Sequence, residues 1–306
     1  MIIGTRGSRL ALLQTEKVCE RLRELGIEYK IRIVRSSGDV MLNRSLYKMP
    51  DKGVFVKELD VMLLGGKIDI AVHSMKDIPL ERDERLETAA VLPRDSPFDV
   101  LVSDYNLNDM PDGAVIGTSS VRRRYQMLNY MEERGIKIRI KDIRGNVDTR
   151  LRKLKRGDYT GVLLAEAGLE RLQLQSEVNY ERLDCDPFVP APNQGIIAVV
   201  ARKDSEESEL LHHIEDVSTR IEADVENEVL KVIGGGCAVP VGVHAHCVNS
   251  NSNININVEL SIYIGYSGKS YTLNKTVLTT EGYLQDAREF AIETVNAHHP
   301  KPSGTR

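Results

Sequence analysis

The 306-residue chain holds no tryptophan, four cysteines, and no apolar run approaching the roughly 18 residues of a membrane span. The missing tryptophan excludes nothing. The missing apolar run excludes a spanning helix, and no membrane partner is expected. Met1-Ile2-Ile3 opens as a short strand, without the charged start and apolar core of a secretion signal. Cys19, Cys185, Cys237 and Cys247 show no CxxC spacing, and four thiols in so long a chain do not make a disulfide scaffold. They read as reduced thiols of a cytoplasmic protein. Neither GxxxxGK(S/T) nor GxGxxG is present, so nothing indicates a nucleotide cofactor. HExxH is absent too. His244 and His246 form an HxH pair, but no further ligands stand near it in sequence, so no metal is expected. A net charge of −4 argues against nucleic-acid or anionic-membrane binding by the chain as a whole.

What is present is an ordinary soluble composition, 41% hydrophobic and 28% charged, long enough for two or three domains. Strand and helix patterns alternate through the first two thirds, which predicts α/β architecture with parallel strands. Ile2-Ile3 is a strand. Ser8 caps a helix with Ala11, Val18, Leu22 and Leu25 on one face, ended by Gly26. Strands follow at 29–34 and 68–72, with a helix at 56–64 between them. A second block repeats the pattern: strand 114–116, a helix with Val121, Tyr125, Leu128 and Met131 inward, strand 136–140, a helix with Val147, Leu151 and Leu154, and strand 161–165. Residues 93–97 and the prolines at 187, 190 and 192 read as two crossings between blocks. The chain leaves a first domain, builds a second and returns, an arrangement suited to closure on a ligand. Strand 196–200 belongs to the return. Alternating apolar residues from Ile254 to Ile264 then predict a half-solvated antiparallel strand, paired through a turn at Ser267-Gly268 and closed by a helix at 284–297.

Three strand-to-helix joints carry arginines: Gly4-Thr5-Arg6-Gly7-Ser8, Gly117 to Arg124, and Arg144 to Arg150. A helix start already bears partial positive charge, so each cation there costs up to about 1 kcal/mol unless an anion faces it. Helix starts bind phosphates and carboxylates, and arginine grips carboxylate through paired hydrogen bonds. The joints therefore predict one cleft for a ligand with many negative groups. Surface salt bridging is the plain alternative for any single joint. Nucleic acid is the rival for the basic stretch 134–156, which lacks aromatics for base stacking. Asp77 follows the buried strand 68–72, where ligands of α/β sheets sit, and a carboxylate there can hold developing positive charge or move a proton. His73 reads as structural. Cys237 ends the glycine run 234–236, where a thiol is placed for chemistry more than for packing.

Taken in order, several motifs resemble the porphobilinogen deaminase family. They are Lys52 to Leu59, Ala71 to Asp77, Gly117 to Arg123, Arg144 to Val147, Ala167 to Leu172, and Gly235-Gly236-Cys237. The resemblance spans nearly the whole chain and weakens after about residue 245. It implies three domains: two α/β lobes like those of bacterial solute-binding proteins, at 1–94 with 195–213 and at 95–194, and a small α+β C-terminal domain at 214–306. It implies a transferase of tetrapyrrole and heme biosynthesis that joins four porphobilinogens head to tail, releases ammonia, and yields hydroxymethylbilane. Cys237 then matches the residue that holds a dipyrromethane cofactor by a thioether, and Asp77 the catalytic aspartate. Arg122, Arg123, Ser120, Arg144, Lys76 and Ser74 are expected at the cofactor. Arg6, Ser8, Arg144, Arg150, Arg171, Gln194, Lys48 and Phe55 are expected at the substrate. A monomer without an obligate protein partner is expected, with Lys52 to Phe55 as a mobile lid. Three departures stand out: Asn193 where the family commonly has Gly, Asn227 where it usually has Arg, and Gly234 where Glu is common.

Overall fold

The computed structural model describes residues 1–34, 56–234, 240–249, 256–265, 271–279 and 282–298, and every structural statement concerns these. The first lobe is built on β1 (Ile2–Arg6), α1 (Arg9–Glu24), β2 (Lys30–Val34), α2 (Lys57–Leu64), β3 (Ile70–Ser74) and β4 (Leu86–Val91). Its sheet runs β2-β1-β3-β10-β4, with β10 (Ile197–Arg202) inserted late. β1 lies parallel to β2 and β3, whereas β10 is antiparallel to β3 and β4. The second lobe holds β5 (Asp99–Ser103), β6 (Ala114–Gly117), α3 (Val121–Glu133), β7 (Ile138–Lys141), α4 (Val147–Lys155), β8 (Gly161–Ala165), α5 (Glu166–Leu172) and β9 (Tyr180–Leu183). Its sheet order is β7-β6-β8-β5-β9, parallel around β6 and antiparallel on both sides of β5. An all-parallel reading thus fails at β5, β9 and β10. β5 and β10 carry the chain into one lobe and back into the other, so no crossover helix precedes them, and β9 follows as an edge strand.

Local signals account for the helices that frame the cleft. Ser8 caps α1, its Oγ accepting from the Ala11 N–H at 3.2 Å. Ala11, Val18 and Leu22 are buried in a stripe with Gln14, Thr15 and Cys19, and full burial of Val18 or Leu22 is worth about 1.5–3 kcal/mol. Leu25 breaks the expected face: it sits at the C-cap and is exposed, because the helix has already ended. α3 is also turned from expectation. Its buried face is Arg122, Gln126, Met127, Tyr130 and Met131, while Val121, Tyr125 and Leu128 are half-buried. The rotation is about one residue, or 100°. The cause is polar, since Arg122 is anchored on the buried carboxylate of Asp99 at 2.7 Å.

After α6 (Glu206–Leu211), the long α7 (Val217–Ile233) leads to the meander β11 (Val241–Asn249), β12 (Ile256–Gly265) and β13 (Tyr271–Thr279), and α8 (Tyr283–His298) closes it. Val258, Leu260, Ile262 and Ile264 pack with Val225 and Val229 of α7 and Ala287 and Ala291 of α8. The opposite face is not simply solvated. Tyr263 is buried there and accepts a hydrogen bond from Asn129 of α3 at 3.3 Å.

The two crossings meet between the lobes. The Asp95 N–H donates to the Gly195 carbonyl at 3.2 Å. Gly195 has φ +89°, and a Cβ there would stand 2.3 Å from the Asp95 carbonyl oxygen, so only glycine fits. Arg94, beside it, donates to the Gln194 carbonyl (2.9 Å) and to Glu226 (2.8 Å) and Glu222 (3.2 Å) of α7. The helix that runs toward Cys237 is thereby bolted to the hinge.

Candidate active site

A cavity of about 240 Å³ lies between the lobes. Lobe one supplies Arg6 and Ser8 from the β1–α1 joint and His73 and Ser74 from the end of β3. Lys76 and Asp77 come from the single tight turn Met75–Asp77 that follows. Lobe two supplies Arg123 from the first turn of α3, Gly145 to Asp148 and Arg150 around the start of α4, and Arg171 from α5. The ends of parallel strands and the starts of the helices after them therefore converge, as the three joints suggest.

Most of these groups are held. Ser74 Oγ accepts from Gln14 Nε2 at 2.7 Å, and Ser8 Oγ remains engaged as the α1 cap. Arg123 donates to Asp99 Oδ1 (2.9 Å), the Leu163 carbonyl (3.1 Å) and Gln194 Oε1 (3.3 Å). Arg150 donates to the Gly145 carbonyl at 2.8 Å. Arg171 donates to Asp95 (2.7 Å) and to the Gly195 carbonyl (2.6 Å). Lys76 Nζ donates to Gln194 Oε1 at 3.3 Å. Asp77 is exposed to the cavity.

The electrostatics are those of a cationic enclosure. Burial and then the Arg123 and Arg144 guanidiniums lower Arg150 to about 10. Solvent reaches Lys76 through the cleft, yet both walls crowd it. That desolvation, followed by Arg123, lowers it to about 8 against the pull of Asp77 and Asp99. His73 is buried and held neutral, lowered to about 3 by burial and then by Arg82 and Arg6. It is no cation at neutral pH, and its ring belongs to the wall. Repelling cations kept this close fit a ligand bearing several carboxylates.

Four expected site residues do not line the cavity. Arg122 is 4% exposed and spends its guanidinium on Asp99, Gln126 and the Val189 carbonyl. Ser120 caps α3, accepting from the Arg123 N–H at 3.4 Å. Gln194 is 1% exposed and lies behind the wall. Arg144 is half-buried outside the lining, its carbonyl accepting from Lys153. Cys237, Lys48, Phe55 and the lid expected at 52–55 lie outside the described residues. Three residues escaped the sequence reading. Gln14 lines the cavity. Its signal was a polar residue three positions from Ala11 on the buried stripe of α1. Asp95 and Asp99 fix Arg171 and Arg123, and Asp95 sits in plain view in the first crossing. Among the described residues no group of three or more His, Cys, Asp or Glu is placed to hold a metal ion, and no helix is long and apolar enough to cross a membrane.

Sequence comparison decides the family. Residues 1–210 match the family profile described as "Porphobilinogen deaminase, dipyromethane cofactor binding domain", and residues 220–294 match "Porphobilinogen deaminase, C-terminal domain". The chain belongs to the porphobilinogen deaminase family. A relative from Archaeoglobus fulgidus named "Probable porphobilinogen deaminase" is 49% identical over 247 residues, 80% of this chain and 83% of its own length. One of the same name from Methanocella arvoryzae is 52% identical over 247 residues, 80% of each chain. Among solved structures, a nutrient binding protein from Burkholderia cenocepacia bound to methionine is similar over 75% of this chain and 94% of its own, at 13% identity and TM-score 0.41. As a member of the porphobilinogen deaminase family, the chain is a transferase of tetrapyrrole synthesis that works with a dipyrromethane cofactor.

Two departures from the family pattern turn out to touch. Asn193, in the left-handed region at φ +60°, donates from Nδ2 to Asn227 Oδ1 at 2.8 Å. Asparagine tolerates that backbone better than other side chains do. Its own N–H is held by Glu226. An amide pair thus joins the second crossing to α7.

Proposed function

We propose that this cleft joins four porphobilinogens head to tail into hydroxymethylbilane, with Asp77 at the reacting carbon and the surrounding cations on the acetate and propionate arms. The observation that carries the reading is the exposed carboxylate of Asp77, set among Arg6, Lys76, Arg123, Arg150 and Arg171 in one cavity, whose second carboxylate, Asp148, faces Arg9 at 3.8 Å. The residues fit a bound dipyrromethane, which is itself a polycarboxylate. When bound, it supplies the nucleophilic pyrrole α-carbon and stays on the enzyme through a thioether to Cys237.

The chain's own residues do the rest. Lys76, Arg123 and Ser74 hold the cofactor's acid arms. Arg6, Ser8, Arg150 and Arg171 hold those of the incoming substrate. Asp77 accepts hydrogen bonds from pyrrole N–H groups and stabilises the positive charge that develops on the substrate methylene as ammonia departs. It forms no bond to that carbon. The neutral His73 in the wall adds no competing charge. The same reading divides the chain at 1–94 with 195–213, 95–194 and 214–306, supported by one sheet in each block. It makes the enzyme a cytoplasmic monomer whose partner is porphobilinogen, with no nucleic acid and no obligate protein partner.

Intact mass tests the reading first. The purified protein exceeds its sequence mass by a covalent adduct on the order of 400 Da, colours with acidified aldehyde reagent, and loses both signals in Cys237→Ala. An unmodified protein that is fully active would sink it.

A further inference from the structure

We infer that Asp99, which does not itself line the cavity, is a positioning residue that holds Arg123 directly and Lys76 through Gln194. Asp99 opens β5 immediately after the first crossing and is 1% exposed. Its Oδ2 lies 2.7 Å from Arg122 Nη1. Its Oδ1 accepts from Arg123 Nε at 2.9 Å and from Gln194 Nε2 at 2.8 Å. Burial alone would raise its pKa, but the two guanidiniums outweigh burial and hold it well below the carboxylate range. It is a fixed negative charge between two buried positive ones, and breaking such a pair is far more harmful than never having built it.

The consequence runs through the Gln194 amide. A carboxylate only accepts hydrogen bonds, so Asp99 compels Gln194 to turn its NH2 inward. The Pro97 carbonyl takes the second amide hydrogen at 2.7 Å. Gln194 Oε1 is therefore forced to face the cleft side, where it accepts from both Lys76 Nζ and Arg123 Nη2 at 3.3 Å. Lys76 belongs to lobe one, Arg123 to lobe two, and Gln194 to the second crossing. One buried carboxylate thus fixes the separation of two cations that stand on different lobes. A neutral amide at position 99 could donate instead. Gln194 would then be free to flip and point its NH2 at Lys76 and Arg123, turning an attraction into a repulsion.

The test reads Lys76 itself. Of the chain's own charged groups, Arg123, Asp77, Asp99 and Arg122 act on it, and the cofactor's acid arms are common to wild type and variant. The pH dependence of its acetylation by trace acetic anhydride, followed by peptide mass spectrometry on the purified holoenzyme, gives its titration midpoint without any turnover. Removing the Asp99 charge takes away one group that favours the ammonium and leaves two guanidiniums uncompensated. In Asp99→Asn the midpoint falls by about one unit, and kcat/KM for porphobilinogen falls at least about tenfold with the cofactor still attached. Gln194→Leu keeps the carboxylate–arginine pairs but removes the relay, and lowers kcat/KM in the same direction while the protein melts normally. If Asp99→Asn does not fold, Gln194→Leu decides alone. An unmoved midpoint in Asp99→Asn, or unchanged kcat/KM in Gln194→Leu, overturns the inference. The inference rests on the reading of Lys76 and Arg123 as carboxylate-binding cations. A wild-type enzyme inert toward porphobilinogen defeats that reading, while the Lys76 midpoint still tests Asp99.

Discussion

The two lobes line the same cavity with different mixtures. Lobe one sets the cations Arg6 and Lys76 among short or acidic groups from strand ends: Ser8, Ser74 and the exposed Asp77. Lobe two presents cations that are each anchored on the protein: Arg123 on Asp99, Arg150 on the Gly145 carbonyl, and Arg171 on Asp95. The difference teaches how to read an arginine at a helix start. Arg122 and Arg123 are neighbours in sequence and share one carboxylate, yet only Arg123 also reaches the cavity. A guanidinium buried against protein acceptors is framework; one with an edge at the cavity serves a ligand.

The contrast can be broken at its sharpest point first. Asp77→Asn keeps the fold and the adduct mass but lowers kcat by about 10²–10³, the usual worth of one group that stabilises developing charge. Near-normal turnover in that variant removes Asp77 from its role. Arg122→Met and Arg123→Met then separate framework from site. Arg122→Met costs about 3 kcal/mol in a denaturant titration, because it strips a partner from a buried carboxylate. Arg123→Met loses less stability and more kcat/KM, because it loosens the grip on the cofactor's acid arms. The reverse ranking would erase the distinction between them.

Arg150→Met sharpens the lobe-two side. Its anchor is a single carbonyl, so the variant melts near the wild type while KM rises about tenfold, one charge-assisted contact. Acid stability probes the walls rather than the ligand groups. His73 and His244 are each lowered to about 3 by burial first, while the unfolded chain protonates near 6.5. Between those values the unfolded state binds more protons, so stability is present above about pH 6.5 and drains away as pH falls toward 3. Replacing His244 by Asn flattens that slope in urea titrations from pH 7 to 4; an unchanged slope contradicts it. The smallest effect belongs to Asn193→Gly, which relieves the left-handed backbone but loses the bond to Asn227. The two terms nearly cancel, to within about 1 kcal/mol.

Much of this was legible in residue order. The β1–α1 joint, the Ser8 cap, both crossings and the position of Asp77 follow from spacing and turn chemistry alone. The face of α3 did not, because periodicity counts apolar residues and the decisive contact of that helix is polar. Arg122 looked misplaced because its partner, Asp99, lies 23 positions away across a fold that local patterns do not encode. Gln194 was expected at the substrate from the family resemblance, and only the packing shows that both ends of its amide are taken. Asn193 and Asn227 stood apart as separate departures in residue order. Only the fold shows that these segments, 34 residues apart, touch.

The bond between Asp95 and Gly195 has one more implication. The two crossings are laced into one spindle, so the lobes are joined by a paired rather than a single thread. Glu226 grips that spindle through Arg94 and the Asn193 amide. α7 therefore takes its footing on the pivot between the jaws.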